Sequence, residues 1–176
     1  ITYATMTAGL IQVESEPERA LDLLDEALFQ ASSVGNNLGI GMALQTSAYL
    51  HTTHGSREEA LRLTIRGAEH FYGIGDFTFL RGLLHPAVVV LARAGADESA
   101  AMLYGATPMG MGSYEGGEFA DAPWVMEFDH AVESLQTRLG DERFAACAAR
   151  GSRMDEDELV ALLREEVAHL LSDPTN

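Results

Sequence analysis

Three stretches of this chain read nearly alike: ERALDLLDEA at Glu18–Ala27, EEALRLTIRG at Glu58–Gly67 and ESAAMLYGA at Glu98–Ala106. They recur at an offset of forty residues. Ala20, Ala60 and Ala100 share that offset, as do Leu23, Leu63 and Leu103. Gly35 matches Gly75, Gly55 matches Gly95, Leu44 matches Leu84, and Val34 matches Ile74. A fixed period of this length is the mark of a stacked helical repeat, because each unit is too thin to bury its own apolar face.

Within a unit the pattern predicts two antiparallel helices. Ala20, Leu23, Leu24, Ala27, Leu28 and Ala31 form the three-and-four spaced stripe of an amphipathic helix. Ser15-Glu-Pro-Glu18 and Ser56-Arg-Glu-Glu59 read as capping boxes, and Pro17 suits a first turn, where its missing N–H costs little. Gly35 and Gly75 are placed to take a positive φ just past a helix, with Asn36 and Asp76 capping the next one. The second helices end at Gly55 and Gly95. Residues 1–14 read as the second helix of a preceding unit, with Leu10 forty before Leu50, so the array is expected to be cut at its N-terminal side.

The bulk composition agrees. Apolar residues make up 47% of 176 residues, with few aromatics and much Ala and Leu, which favours a helical globule. The net charge is −16 and there is no lysine. An acidic surface repels phosphate backbones, so direct nucleic-acid contact is not expected. The missing lysine removes a P-loop, a Schiff base and a Ser–Lys dyad. No apolar run is long enough for a membrane span, and no secretory leader is evident at Ile1. The single Cys147 suits a reducing, cytoplasmic setting.

Past residue 106 the period stops. Tyr104–Trp124, YGATPMGMGSYEGGEFADAPW, has no hydrophobic rhythm. Gly110, Gly112 and Gly116 are spaced one residue too widely for a dinucleotide loop, and no strand precedes them. Met109 and Met111 are soft donors, but the loop offers them no Cys or His as a companion metal ligand. We read it as a connector. Beyond it, Val125, Phe128, Val132 and Leu135 mark a helix, Asp141 caps a short one holding Phe144, Cys147 and Ala148, and Asp155–Glu158 opens the last. The last helix carries the stripe Leu159, Leu162, Leu163, Val167 and Leu170. The expected organisation is residues 1–106 as repeats, 107–122 as a Gly/Met-rich connector, 123–171 as capping helices and 172–176 as a linker or tail. The fold class is all-α, with antiparallel pairs stacked as a right-handed superhelix of the tetratricopeptide (TPR) kind and a C-terminal helical cap.

The blocks Glu98–Ala106, Leu139–Gly151 and Met154–Leu163 also carry a resemblance. Leu103, Gly105 and Ala106, then Leu139, Gly140, Phe144, Ala148 and Gly151, then Asp157, Glu158 and Val160, are similar to the end of the repeat region in large bacterial regulators. These are the LuxR-type ATPase regulators and the related cyclase–ATPase–TPR proteins of actinobacteria. The resemblance covers residues 98–171 and reaches the earlier repeats only in style. It implies a non-enzymatic sensing or scaffolding segment of a cytoplasmic transcriptional regulator. Its implied partners are the ATPase, DNA-binding or cyclase domains of a parent chain and a small-molecule or protein effector. A homo-oligomerisation module and an all-α enzyme are the rival readings, and no convergent acid, base and electrophile favours the second.

Candidate site residues are few. Gln45 and Tyr49, with Arg81 and His85 at matching places in the next repeat, are expected to face a ligand or partner groove. Arg81 has the fork to hold a carboxylate or phosphate. The competing reading pairs Arg81 with a neighbouring carboxylate and packs His85 in the core. His51 and His54 sit at a helix end, where they complement the dipole, and their spacing alone makes no metal site. No cofactor, metal or catalytic residue is expected.

Overall fold

The computed structural model describes residues 16–107 and 123–172, with side chains given from residue 125 in the second stretch. Among the described residues there are eight α-helices and no strand. They are α1 (Pro17–Ser33), α2 (Asn37–His54), α3 (Arg57–Gly73), α4 (Phe77–Arg93), α5 (Asp97–Ala106), α6 (Pro123–Leu139), α7 (Asp141–Gly151) and α8 (Glu156–Ser172). The helix expected over residues 1–14, the Ser15 cap, the connector from residue 108 to 122 and its two ligand readings all lie outside the described residues.

The chain divides into two compact units, Ile1–Asp76 and Phe77–Asn176. The division falls in the Gly75 turn, between helices that the forty-residue period reads as one pair. In the second unit α4 and α5 share a core with α6, α7 and α8, the helices read in the sequence as a cap on the array.

Three helix ends share one construction. At Gly35, Gly75 and Gly95 the φ is +66°, +72° and +83°, and the flanking amides fold back identically. Asn36, Asp76 and Ala96 N–H donate to the carbonyls of Ala31, Phe71 and Leu91, while each glycine N–H donates to Ser32, Tyr72 or Ala92. These are Schellman caps, which need a residue tolerant of positive φ. Asn36 then caps α2, its Oδ1 accepting from Gly39 N–H at 3.0 Å, and Ser56 Oγ caps α3 by accepting from Glu59 N–H at 3.4 Å.

Gly55 is different. Its φ is −136°, so it does not repeat the Gly95 conformation. Here His51 Nδ1 accepts the N–H of Ser56 at 3.3 Å, and a Cβ on Gly55 would stand 2.4 Å from that nitrogen. The imidazole lies over the turn where a side chain would go, so glycine is needed for room rather than for φ.

In the first unit α2 lies between α1 and α3 in sequence order. Ala20, Leu24 and Ala27 of α1 meet Ala43 and Leu50 of α2, and Leu28 continues the packing to Leu44, Ala48 and Leu63. Phe71, fully buried, lies over Gly41, where a Cβ would be 2.0 Å from the ring. His70 Nε2 bonds the Asn37 carbonyl at 2.8 Å, fixing the last turn of α3 against the first turn of α2.

In the second unit α5 and α7 run antiparallel with their backbones in contact. A Cβ on Gly105 would stand 1.9 Å from the Ala148 carbonyl oxygen, and one on Gly151 1.7 Å from that of Met102. Residues 102 and 105 on one helix thus face 151 and 148 on the other, one turn apart on each. Glycine at both places removes the side chain that would hold the helices apart. Gly140, at φ +75°, turns the chain from α6 into α7.

The buried faces follow the stripes with local shifts. In α4, Leu80, Leu83, Leu84 and Ala87 are all buried. In α6, Ala131 is buried where Val132 was expected, and Val132 is half-buried. In α8, Val160 takes the place of Leu162. In α7 only Phe144 and Gly151 are buried, with Cys147 and Ala148 half-buried. Such local shifts arise because a helix can roll by part of a turn to suit its neighbours without changing its period. The α8 entrance is a reciprocal capping box: Glu158 N–H donates to Asp155 Oδ1 at 2.9 Å, and Asp155 N–H to Glu158 Oε2 at 3.1 Å.

Candidate functional site

Arg81 is a junction between helices. On α4 its Nε donates to Glu156 Oε1 at 2.8 Å, while its other nitrogens reach the carbonyls of Ala106 and Met154, both at 3.3 Å. One planar fork thereby ties the end of α5 and the entrance to α8 onto α4, a task that suits guanidinium and not ammonium. The carboxylate that Arg81 holds is the protein's own. An incoming anion would have to displace Glu156 and give up the two carbonyl bonds.

One turn further on, His85 is 8% exposed and stacks on Phe128 of α6, with centroids 3.7 Å apart and planes 12° from parallel. Burial lowers its pKa to about 4. The ring is therefore neutral at physiological pH and adds no positive charge beside Arg81. Half-buried Tyr104 extends the aromatic group, 6.1 Å from Phe128 and 5.2 Å from Phe144. The result is an aromatic core joining α4, α5, α6 and α7.

Gln45 and Tyr49 belong to the other unit. Both are half-buried on α2, and Tyr49 packs against the cluster of Ala20, Leu24, Ala27, Ala43 and Leu50. Of the four candidates, Gln45 and Tyr49 are one turn apart on α2, and Arg81 and His85 one turn apart on α4. The geometry of Arg81 and His85 is that of the packing alternative: an internal ion pair and a buried stacked ring.

Other polar groups join helices as well. Arg138 of α6 grips Asp97 with two bonds of 2.8 Å and also reaches the Ala92 carbonyl at 3.2 Å. Its pKa is raised, first by the hydrogen bond to Asp97. Arg93 pairs with Glu127, and Arg143 with Glu98. Buried Ser99 donates to Glu166 Oε2 at 2.5 Å, linking α5 to α8. Burial, and after it the charge of Glu98, pushes the Cys147 thiol upward in pKa, away from thiolate chemistry. Among the described residues no three His, Cys, Asp or Glu side chains gather as a metal site, and no helix is long and apolar enough to cross a membrane.

Sequence reasoning missed Tyr104 and the His51 turn. It named Gly105, Ala148 and Gly151 only as parts of a resemblance. Two small residues three apart on α7, Ala148 and Gly151, and a glycine inside α5 are the signal that points to a close crossing. No protein-family model matches the chain, and neither curated proteins nor solved structures give a match.

Proposed function

We propose that this chain is a non-enzymatic interaction module: a TPR-like helical-repeat segment, of the kind its C-terminal blocks resemble, that serves sensing or scaffolding in a multidomain transcriptional regulator. The observation carrying this reading is the recurrence of one helix-ending turn at Gly35, Gly75 and Gly95, which at Gly35 and Gly95 joins helices that pack on each other within one unit. Such an architecture offers long helix surfaces and responds to a ligand by changes between adjoining helices. Its arginines support this use. Arg81, Arg93, Arg138 and Arg143 are spent on holding helices to one another.

In this reading the parent's ATPase, DNA-binding or cyclase domains, or a small effector, are the partners, and the setting is cytoplasmic. Thermal-shift and binding titrations with nucleotides, metabolites and such domains test it. At least one is expected to raise the melting temperature in a concentration-dependent way. No shift and no binding across that panel would remove the sensing role. A dimer growing with concentration in light scattering would favour the oligomerisation module instead.

A further inference from the structure

The first unit has an apolar end. Among its described residues the exposed large hydrophobic side chains are Phe29, Val34, Tyr72 and Ile74. Phe29 and Val34 lie at the C-terminal end of α1, and Ile74 directly follows α3. The His70–Asn37 bond holds the last turn of α3 against the turn that follows Val34, so all of them share one end of the unit. The exposures are large: 74% for Phe29, 75% for Val34 and 42% for Ile74. Val34 and Ile74 are the forty-apart pair of the repeat, each just before a Schellman glycine.

The charge around this end is one-sided. Asp25 and Glu26 stand four and three residues before Phe29, on the same side of α1. Residues 25–36 and 66–76 together carry four carboxylates and one arginine, a net −3. Two helix C-termini, the negative ends of their dipoles, also point here, against the single N-terminus of α2, which Asn36 caps. Neither last turn has an arginine: α1 has no basic residue there, and α3 has only His70, which is bonded to Asn37.

We propose that this end of the first unit docks a cationic amphipathic segment of a partner protein, whose apolar face covers Phe29, Val34 and Ile74 while its basic face meets Asp25, Glu26 and the helix ends. The proposal rests on the interaction-module reading and names the surface and partner chemistry for it. Apolar anchors in an acidic surround select such a segment, by contact area for the anchors and by field for the charges. A second copy of the chain is the wrong occupant. It would bring the same acidic end, on a molecule of net charge −16, against its own kind.

The test uses the full chain and a dye-labelled helical peptide with leucines on one face and arginines on the other, followed by anisotropy. Binding is expected to weaken as salt rises. Phe29→Ser/Val34→Ser and, separately, Asp25→Asn/Glu26→Gln should each weaken it about tenfold or more, with melting temperatures unchanged. Glu133→Gln/Glu142→Gln, which removes the same charge from exposed sites in the second unit, should leave it intact. Equal weakening by that control, absence of binding, or a homodimer that the Phe29/Val34 variant abolishes would each overturn the proposal. Backbone-amide exchange with the peptide bound separates this proposal from the broader reading. Protection confined to other helices would sink the docking end and leave an interaction module standing.

Discussion

Gly105 and Gly73 are both helical, yet alanine should affect them in opposite directions. At Gly105 the new methyl would press on the Ala148 carbonyl, so Gly105→Ala should destabilise the protein by about 2–3 kcal/mol in urea titration, or force α5 and α7 apart. At Gly73 a Cβ meets nothing within 4 Å, and Gly73→Ala should gain up to about 1 kcal/mol from helix propensity. Gly41→Ala falls with the first kind because Phe71 fills the space. Trimming that ring in Gly41→Ala/Phe71→Leu should recover part of the loss, which a double-mutant cycle reads directly.

His85 gives a pH signature at the same scale. Its folded pKa of about 4 lies below the ordinary 6.5. Above 6.5 both folded and unfolded chains carry it neutral, and the stability of the buried ring is fully present. As pH falls from 6.5 towards 4 the unfolded chain takes up the proton first, and stability drops by up to about 3 kcal/mol. His85→Leu should remove that part of the pH dependence of unfolding. A variant whose stability still falls equally over the same window would place the titrating group elsewhere.

At the scale of elements, much was legible in the sequence because helix punctuation is local chemistry. A glycine followed by a polar or small residue at the end of an apolar stripe marked Gly35, Gly75 and Gly95, and the capping residues Asn36 and Ser56 were read from type and position alone. Gly55 shows the limit. Its offset of forty from Gly95 suggested one shared turn, but His51 folds over it, a contact that no periodicity encodes. One member of each stripe, in α6 and in α8, is replaced by a neighbour for a related reason. A helical period fixes which residues share a face, while the neighbouring helix decides which edge of that face is covered.

The candidate site was legible in kind and not in use. That Arg81 is a fork able to hold a carboxylate follows from its chemistry. That the carboxylate is Glu156, seventy-five residues away, depends on the packing of α8. Arg81→Met should therefore act as a stability mutation, costing about 1–2 kcal/mol by unpairing Glu156 and two carbonyls. Arg81→Lys should recover only part of this, because an ammonium cannot reach three acceptors in one plane. Chemical denaturation of the three proteins at one pH checks the order.

At the scale of the molecule, the division between Asp76 and Phe77 was invisible to the forty-residue period, which treats every unit as equivalent. What distinguishes the second unit is the glycine crossing of α5 on α7 and the aromatic group around His85, both made by residues far apart in sequence. The resemblance had marked these positions without giving their reason: Gly105 meets Ala148, Gly151 meets Met102, and Phe144 packs on Tyr104.

The central claim is that one glycine turn recurs at three helix ends, Gly35, Gly75 and Gly95. Residue-resolved amide exchange on the full chain tests it most directly. The N–H groups of Asn36, Asp76 and Ala96, each donated to a carbonyl five residues back, should exchange as slowly as the adjoining helix ends. Free exchange at all three, or strand-like alternating protection through residues 17–106, would contradict the account.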